Sequence, residues 1–596
     1  MRIFVVRRSS QTFTICHHFT AFGNPEFPKM FYLHSQAKKF NYMKKQVPIK
    51  PWPLISSLII IFLAGAFTGR YFLVEDITAE DARSAARIMG LELSDTEIDS
   101  LVGSLEEFRN DYLANRERVI PNSIAPALTF NPLPPGMVME QEQKPVVFSH
   151  PGKITMPENR DDLAFFTVRE MAELIRTRQI TSVELTKFFI TRLKKYDPQL
   201  HCVVSLTEEL ALQQARRADT ELAQGIYRGL LHGIPYGAKD LLSVQGYKTT
   251  WGAMPYKDQS FEYDATVIKK LEEAGAVLCA KLTLGALAMG DVWFGGMTRN
   301  PWDTETGSSG SSAGSASAVA AGLLPFAIGT ETLGSIVSPS TVCGTTGLRP
   351  TFGRVSRYGA MALSWSMDKI GPITRSVEDA AIVFDAIRGA DQRDLSVIDA
   401  PFNYNASFNT KKLRIGYLQS AFERDYAFKT QDSIALAKMR ELGYELIPIK
   451  LPEVPDIRFI LTAEAAAAFD ELTRTNEDDL LVRQDRNAWP NTFREARFIP
   501  AVEYIQANRL RSQLIADMQR VFEEVDVYIH PSWGSSSLLI TNLTGHPCVA
   551  MPNGFRADGR PTSITFTGKL FGEAELLSLA KAWQEATDFH RQHPEL

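Results

Sequence analysis

Residues 303–356 read DTETGSSGSSAGSASAVAAGLLPFAIGTETLGSIVSPSTVCGTTGLRPTFGRVS, and the rest of the chain is organised around them. Small residues dominate, yet two apolar segments, 319–321 and 323–328, interrupt the Gly/Ser run. A flexible linker carries no such core-forming interruptions. The composition fits backbone that passes close to something while hydroxyls point at it. Glycine permits close approach and positive φ, and serine supplies donors, acceptors and nucleophiles.

Outward from this stretch, helices alternate with strands. Residues 266–273 predict a helix stopped at Gly275 and followed by a strand over 276–280; residues 433–442, Gly443 and 444–449 repeat the unit. Further apolar runs lie at 413–417, 527–529, 549–551 and 564–566, and a closing helix over 573–589 carries Leu576, Leu577, Ala580 and Trp583. Alternation of this kind predicts an α/β layered domain.

The 596 residues carry a net charge of −5, but residues 1–50 hold nine Lys/Arg and one Glu, so the body is more acidic than the total. An acidic body lacks the electrostatic footprint for nucleic acid, which is not expected as a partner. Cys16, Cys202, Cys279, Cys343 and Cys548 are scattered with no CxxC, and the histidines include no HExxH. That argues against a disulfide framework and a metal site.

Residues 1–42 read as a processed or spurious extension, with translation starting at Met43. From there Lys44, Lys45 and Lys50 precede an apolar run over 54–67 and the small residues Ala64, Gly65 and Ala66. That is the build of an export signal. Trp52 and Tyr71 to Leu73 extend it into an interfacial anchor. Residues 43–75 are therefore expected to be a signal peptide or membrane anchor, associating with membrane through 54–73. The protein would be exported or membrane-anchored, and periplasmic or extracytoplasmic in a bacterium.

Residues 76–160 predict a helical and proline-rich extension. Ser94-x-x-Glu97 is a capping box, and Ile98, Leu101, Val102, Leu105, Phe108 and Tyr112 recur at helical spacing. The prolines of 121–157 predict an extended connection over the body. Thr167-x-x-Glu170 and Thr181-x-x-Glu184 then start two helices of the main domain, 161–596.

Three pieces carry chemistry. Gly233-Ile-Pro-Tyr-Gly-Ala-Lys239-Asp240 places a lysine after a Gly/Pro-punctuated apolar segment; Ser311-Ser312 sits inside the serine loop; Gly334-Ser335-Ile336 follows Thr330-Glu331-Thr332-Leu333, ahead of a turn at Pro339. Lysine acts as a base only with a lowered pKa, which burial supplies. A nucleophile-elbow pattern, Gly310-x-Ser312-x-Gly314, is also present, but polar, turn-like sequence precedes it where a buried strand is required.

The set resembles the amidase signature family, from about residue 165 to 589. The family's G-S-S-G-G-S-A appears as Gly310-Ser-Ser-Ala-Gly-Ser-Ala316, its G-T-D-T-G-G-S-I-R as Gly329-Thr-Glu-Thr-Leu-Gly-Ser-Ile-Val337, and its C-G-x-x-G-L-[KR]-P-T intact from Cys343 to Thr351. Residues 298–303 and 368–372 are also similar to it. The resemblance implies a three-layer α/β/α fold with a mixed central sheet, preceded here by the N-terminal helical extension. It implies a Ser–cis-Ser–Lys triad: nucleophile Ser335, bridging Ser311 on a cis peptide, and base Lys239. The oxyanion hole would be the backbone of Thr332, Leu333, Gly334 and Ser335, with Ser312 and Glu331 behind it. Met289, Trp293, Phe294 and Trp365 are the expected substrate-binding residues.

Three departures stand out: Leu333 replaces a glycine, while Glu331 and Val337 replace the family's Asp and Arg, leaving Glu331 in need of another partner. The expected function is a cofactor-free amidase that hydrolyses a small-molecule carboxamide through an acyl-enzyme. One alternative is the A subunit of a glutamine-dependent tRNA amidotransferase, which residues 353–359 resemble, although that protein carries a longer insert near 534–541. The other is a catalytically silent amidase-like binding protein.

Overall fold

The computed structural model describes residues 76–596. The expected leader, 1–42 and 43–75 with its membrane-associating run, lies outside the described residues. Among the described residues no helix is long and apolar enough to cross a membrane.

The expected capping boxes form. Ser94 caps the helix Asp95–Asn115 (α2), which follows Ala79–Ile88 (α1). Thr167 caps Val168–Arg176 (α3) and Thr181 caps Ser182–Leu200 (α4). In each the cap hydroxyl accepts the third helical N–H while a glutamate accepts the cap N–H, an arrangement whose loss costs about 1 kcal/mol.

The centre is an 11-stranded mixed sheet. In chain order its strands are Val203–Leu206 (β1), Pro235–Lys239 (β2), Val277–Leu282 (β3), Phe326–Glu331 (β4), Thr346–Arg349 (β5), Lys369–Thr374 (β6), Ile415–Leu418 (β7), Leu446–Ile449 (β8), Val527–Pro531 (β9), Cys548–Phe555 (β10) and Pro561–Gly568 (β11). Their spatial order is β1-β3-β2-β4-β6-β5-β10-β11-β9-β7-β8. Strand β2 runs parallel to both β3 and β4, and β7 parallel to β8 and β9; the remaining pairs are antiparallel. Strands β2, β3, β4, β5 and β6 are buried along their whole length, which matches a sheet covered by helices on both faces.

Two helices grow from residues 303–356: Ala313–Ala320 (α5) leaves the serine loop, and Val337–Cys343 (α6) leaves the Gly334-Ser335 turn. Pro339 therefore sits in the first turn of α6 rather than at a turn between elements. A missing N–H costs nothing there. The closing helix is Glu573–Glu585 (α7).

The extension belongs to the same compact unit, Ile77–Leu596. Its proline-rich part is held at separate points. Phe130 packs edge-on against Phe352 at 5.0 Å, the Arg511 guanidinium lies 3.6 Å over the Phe130 ring, and Val147 bridges to Asn405.

Candidate active site

Lys239 is the last residue of β2, and the register sets its neighbours. Gly237 pairs with Ala327 and Ala238 with Ile328, so Lys239 emerges beside the C-terminal end of β4. Its Nζ lies 2.8 Å from Ser311 Oγ, 3.0 Å from Ser312 Oγ and 2.9 Å from Thr330 Oγ1, with the Thr330 carbonyl at 3.4 Å. Among the described residues no carboxylate touches this amine: the adjacent Asp240 pairs with Lys281 at 2.6 Å. Burial, against weaker pulls from Asp368 and Glu331, brings the Lys239 pKa down to about 7.

The serine loop reaches the lysine because glycine lets it. A Cβ on Gly310 would stand 1.9 Å from the Gly290 carbonyl oxygen, so this backbone is pressed against backbone with no room for a side chain. The Gly310–Ser311 peptide is cis. Ser312 fastens the loop to β4: its hydroxyl accepts the Thr330 N–H at 3.1 Å and donates to the Thr330 carbonyl at 3.0 Å. Gly310→Ala should therefore displace the loop, lowering the melting temperature by several degrees and cutting activity; a scan and an assay on one sample check both.

Ser335 lies on the turn between β4 and α6, and its carbonyl accepts the Ser312 N–H at 3.1 Å. Its hydroxyl forms no hydrogen bond among the described residues, and none joins it to Ser311. The N–H groups of Thr332, Leu333, Gly334 and Ser335 likewise donate to no described residue, which leaves a row of available donors. Gly334 takes φ +87°, whereas Leu333 is not among the positive-φ residues. A leucine is thus tolerated at 333 without backbone strain, and the turn's special conformation falls on the retained glycine.

Glu331 finds its partner in Arg349, 2.8 Å away and equally buried. The carboxylate also accepts the N–H groups of Ile336 (2.8 Å) and Val337 (3.0 Å) and the Asn542 amide (2.9 Å). Burial opposes ionisation, but Arg349 and these donors outweigh it and hold the pKa down to about 2. The pair clamps the start of α6, hence the turn carrying Ser335, to β5. Arg349→Met should cost about 3–5 kcal/mol, since it strands a buried carboxylate; urea denaturation reads it, and adding Glu331→Gln should recover part. Because the folded pKa is depressed, the stabilisation is present above the unfolded value of 4.5 and fades as pH falls towards 2.

Sequence reasoning does not single out Thr330, Asp368, Arg349 or Asn542 as site residues. Asp368 accepts the Thr332 hydroxyl at 2.6 Å and the N–H groups of Leu363 (2.8 Å) and Ser364 (3.0 Å), bracing the turn from β6. Its one signal in the chain is its place in the motif of 368–372. Of the expected pocket residues, Trp365 lines the cavity beside Thr330 and Thr332, whereas Met289, Trp293 and Phe294 do not; from that segment it is Ala288 that does. Trp293 instead packs edge-on against Phe294 at 4.8 Å.

A mixed sheet that sets a buried lysine, its pKa brought down to about 7, against a serine-rich loop is the frame of an α/β-class hydrolase. The chain belongs to the amidase family, whose model matches residues 184–541. It is 34% identical over 481 residues to the A subunit of the glutamyl-tRNA(Gln) amidotransferase of Coxiella burnetii (strain Dugway 5J108-111), covering 72% of this chain and 99% of that protein. Among solved structures it is similar to the native peptide amidase of Stenotrophomonas maltophilia, with TM-score 0.65, 28% identity, and 72% and 98% of the two chains covered. An amidase family protein from Bacillus anthracis str. Ames gives TM-score 0.67 at 27% identity, covering 73% and 93%.

Proposed function

We propose that the protein is a serine-dependent amidase acting on a small-molecule carboxamide, and that Ser335, Ser311 and Lys239 carry the reaction. The observation that supports this most is Lys239: buried, bonded to hydroxyls rather than carboxylates, and with a pKa of about 7. A neutral Nζ accepts the Ser311 hydroxyl proton while Ser311 Oγ takes the proton of Ser335. Ser335 Oγ adds to the amide carbonyl carbon, and the negative oxygen is met by the N–H groups of the 332–335 turn. Losing one such donor costs roughly 2.7–4 kcal/mol of transition-state stabilisation. Collapse breaks the C–N bond, the proton held on Lys239 returns through Ser311 to the leaving nitrogen, and water then releases the carboxylate from Ser335.

The second reading, a glutamine-hydrolysing component of an amidotransferase with protein partners, is favoured by the relatives that carry that name. Free glutamine needs a cation and an anion for its α-carboxylate and α-ammonium. In the cavity at Thr332, Arg357 pairs with Asp394 at 2.9 Å, Asp368 accepts three donors and Lys369 donates to the Met367 carbonyl, whereas Arg393, over the Tyr358 ring, is in no ion pair among the described residues. The lining thus offers a cation for the α-carboxylate, while its carboxylates, the partners an α-ammonium needs, are held by other donors. The test is fluorophosphonate labelling with peptide mapping, followed by ammonia release from glutamine and from simple amides. An adduct on Ser335 with amide turnover by the isolated chain upholds the proposal. Turnover of glutamine alone, or only with an added partner, favours the second reading, and an adduct on Ser312 would revive the elbow.

A further inference from the structure

Two cavities adjoin, one of them opening on Thr332 at the start of the turn that carries Ser335. The first, of about 610 Å³, opens on Thr330, Thr332, Asp368 and Lys369. The second, of about 700 Å³, is walled by Trp251, Tyr256, Phe261, Tyr263 and Phe469. Both volumes fall in the range of roughly 300–1,000 Å³ that ligand pockets occupy. They share a partition, to which the extension contributes Asn122, Ile124 and Pro126 and the body Ala360, Met361 and Trp365.

One wall of the second cavity is aromatic, while Arg116, Arg118, Asp470, Glu471 and Arg474 also line it. The Trp251 ring lies 4.6 Å from Tyr256, 6.2 Å from Phe261 and 6.0 Å from Phe469. Along the extension, apolar side chains are left in water at the mouth: Ile120 is 72% exposed, Ile124 57% and Leu128 80%. One side chain ties this wall down. Asn122 Oδ1 accepts the Ala362 N–H at 2.8 Å, while Nδ2 donates to the carbonyls of Ala362 (2.8 Å) and Ala468 (3.3 Å). It thereby joins the extension, the loop before Trp365 and the end of the helix Phe459–Ala468. Asn122 lies upstream of the matched residues 184–541.

We propose that the second cavity is a substrate subsite for an extended apolar group, alkyl or aryl, borne by the amide whose carbonyl is attacked at Ser335. Residues 119–129 form the wall that selects it, and Asn122 is their positioning residue. The proposal rests on the hydrolase reading above and deepens it. Every methylene carried past the shared partition leaves water for an apolar lining, worth roughly two- to fourfold in kcat/KM. A compact polar amide such as glutamine gains nothing there.

The experiment is a series of primary amides from butanamide to dodecanamide. In the wild type, kcat/KM should climb with chain length over several methylenes and then level off. Ala468→Trp, which fills the second cavity, should lower the dodecanamide-to-butanamide ratio at least tenfold, and Asn122→Ala should lower it as well. A loss that only reflected damaged folding would depress both amides and leave the ratio unmoved. Independently of turnover, the Ser335→Ala protein should bind dodecanamide, read through a shift in the emission of Trp251 and Trp365. A flat series with butanamide still cleaved, or an unmoved ratio in Ala468→Trp, overturns the subsite while leaving the amidase reading intact. Dodecanamide binding by a protein whose wild type cleaves no amide overturns the hydrolase reading, and the substrate role with it, leaving the cavity a binding site for an apolar chain.

Discussion

Ser335→Ala is expected to lose at least ~10³-fold in kcat/KM on any amide the wild type cleaves, with no measurable loss of stability. The two halves of that result have separate causes. In the proposed mechanism the serine hydroxyl is the nucleophile, on a turn whose four successive N–H groups bond to nothing else among the described residues. Without it, those donors have no covalent intermediate to stabilise. The same hydroxyl makes no hydrogen bond among the described residues, so its removal orphans no partner there, and the retained Cβ keeps the packing. A substitution free of cavity, charge or network effects stays within about ±0.5 kcal/mol. Ser311→Ala is the informative contrast: it too should lose activity, but it also strips a partner from the Lys239 amine, so its melting temperature should fall. Activity and melting curves measured side by side separate the roles. Ser335→Ala retaining more than a tenth of wild-type turnover would remove the serine from the mechanism.

The difference between what is legible in the chain and what is not lies in distance along it. The units at 266–282 and 433–449 can be read because a helix, a stop and a strand follow one another locally. The helix Thr266–Glu273 does end before Gly275, which takes φ +86°. The capping boxes are legible for the same reason. Strands β5 and β6 are not: β5 is four residues long and β6 is broken by Gly371 and Pro372, so neither shows an alternating pattern. The lysine and the two serines can be named from motif order. Their meeting point depends on the β2–β4 register, a contact 91 residues apart for Lys239 and Thr330. Arg349 sits in plain sight inside the C-G-x-x-G-L-[KR]-P-T motif, but its pairing with Glu331 requires β4 and β5 to flank β6, an order no local periodicity encodes. Asn122 is the extreme case. It is one asparagine in a proline-rich connection, bonded to a residue 240 positions later, with no signal short of the folded structure.

Lys239 provides the prediction that joins the electrostatics to the chemistry. In the wild type, kcat/KM should rise with pH through about 7 and then level off, because only the neutral amine can accept the Ser311 proton and burial has brought its pKa down to that value. Lys239→Arg keeps a cation that does not lose its proton below pH ~12, so it should lose at least ~10³-fold at every pH and show no limb near 7. Stability supplies a check that does not depend on turnover. The folded pKa lies below the unfolded value of 10.5, so between about 7 and 10.5 the unfolded chain holds the proton that the folded one has released. The unfolded state then binds more protons, and stability must rise with pH across that window. Lys239→Met removes the titrating group, and its unfolding free energy should lack this increment when the two proteins are compared by urea denaturation from pH 6 to 10. An activity limb at pH 4–5, with no difference in stability slope, would mean that a carboxylate governs the reaction. It would also mean that Lys239 is charged where the geometry surrounds it with hydroxyls, leaving a buried cation without a counter-ion in contact.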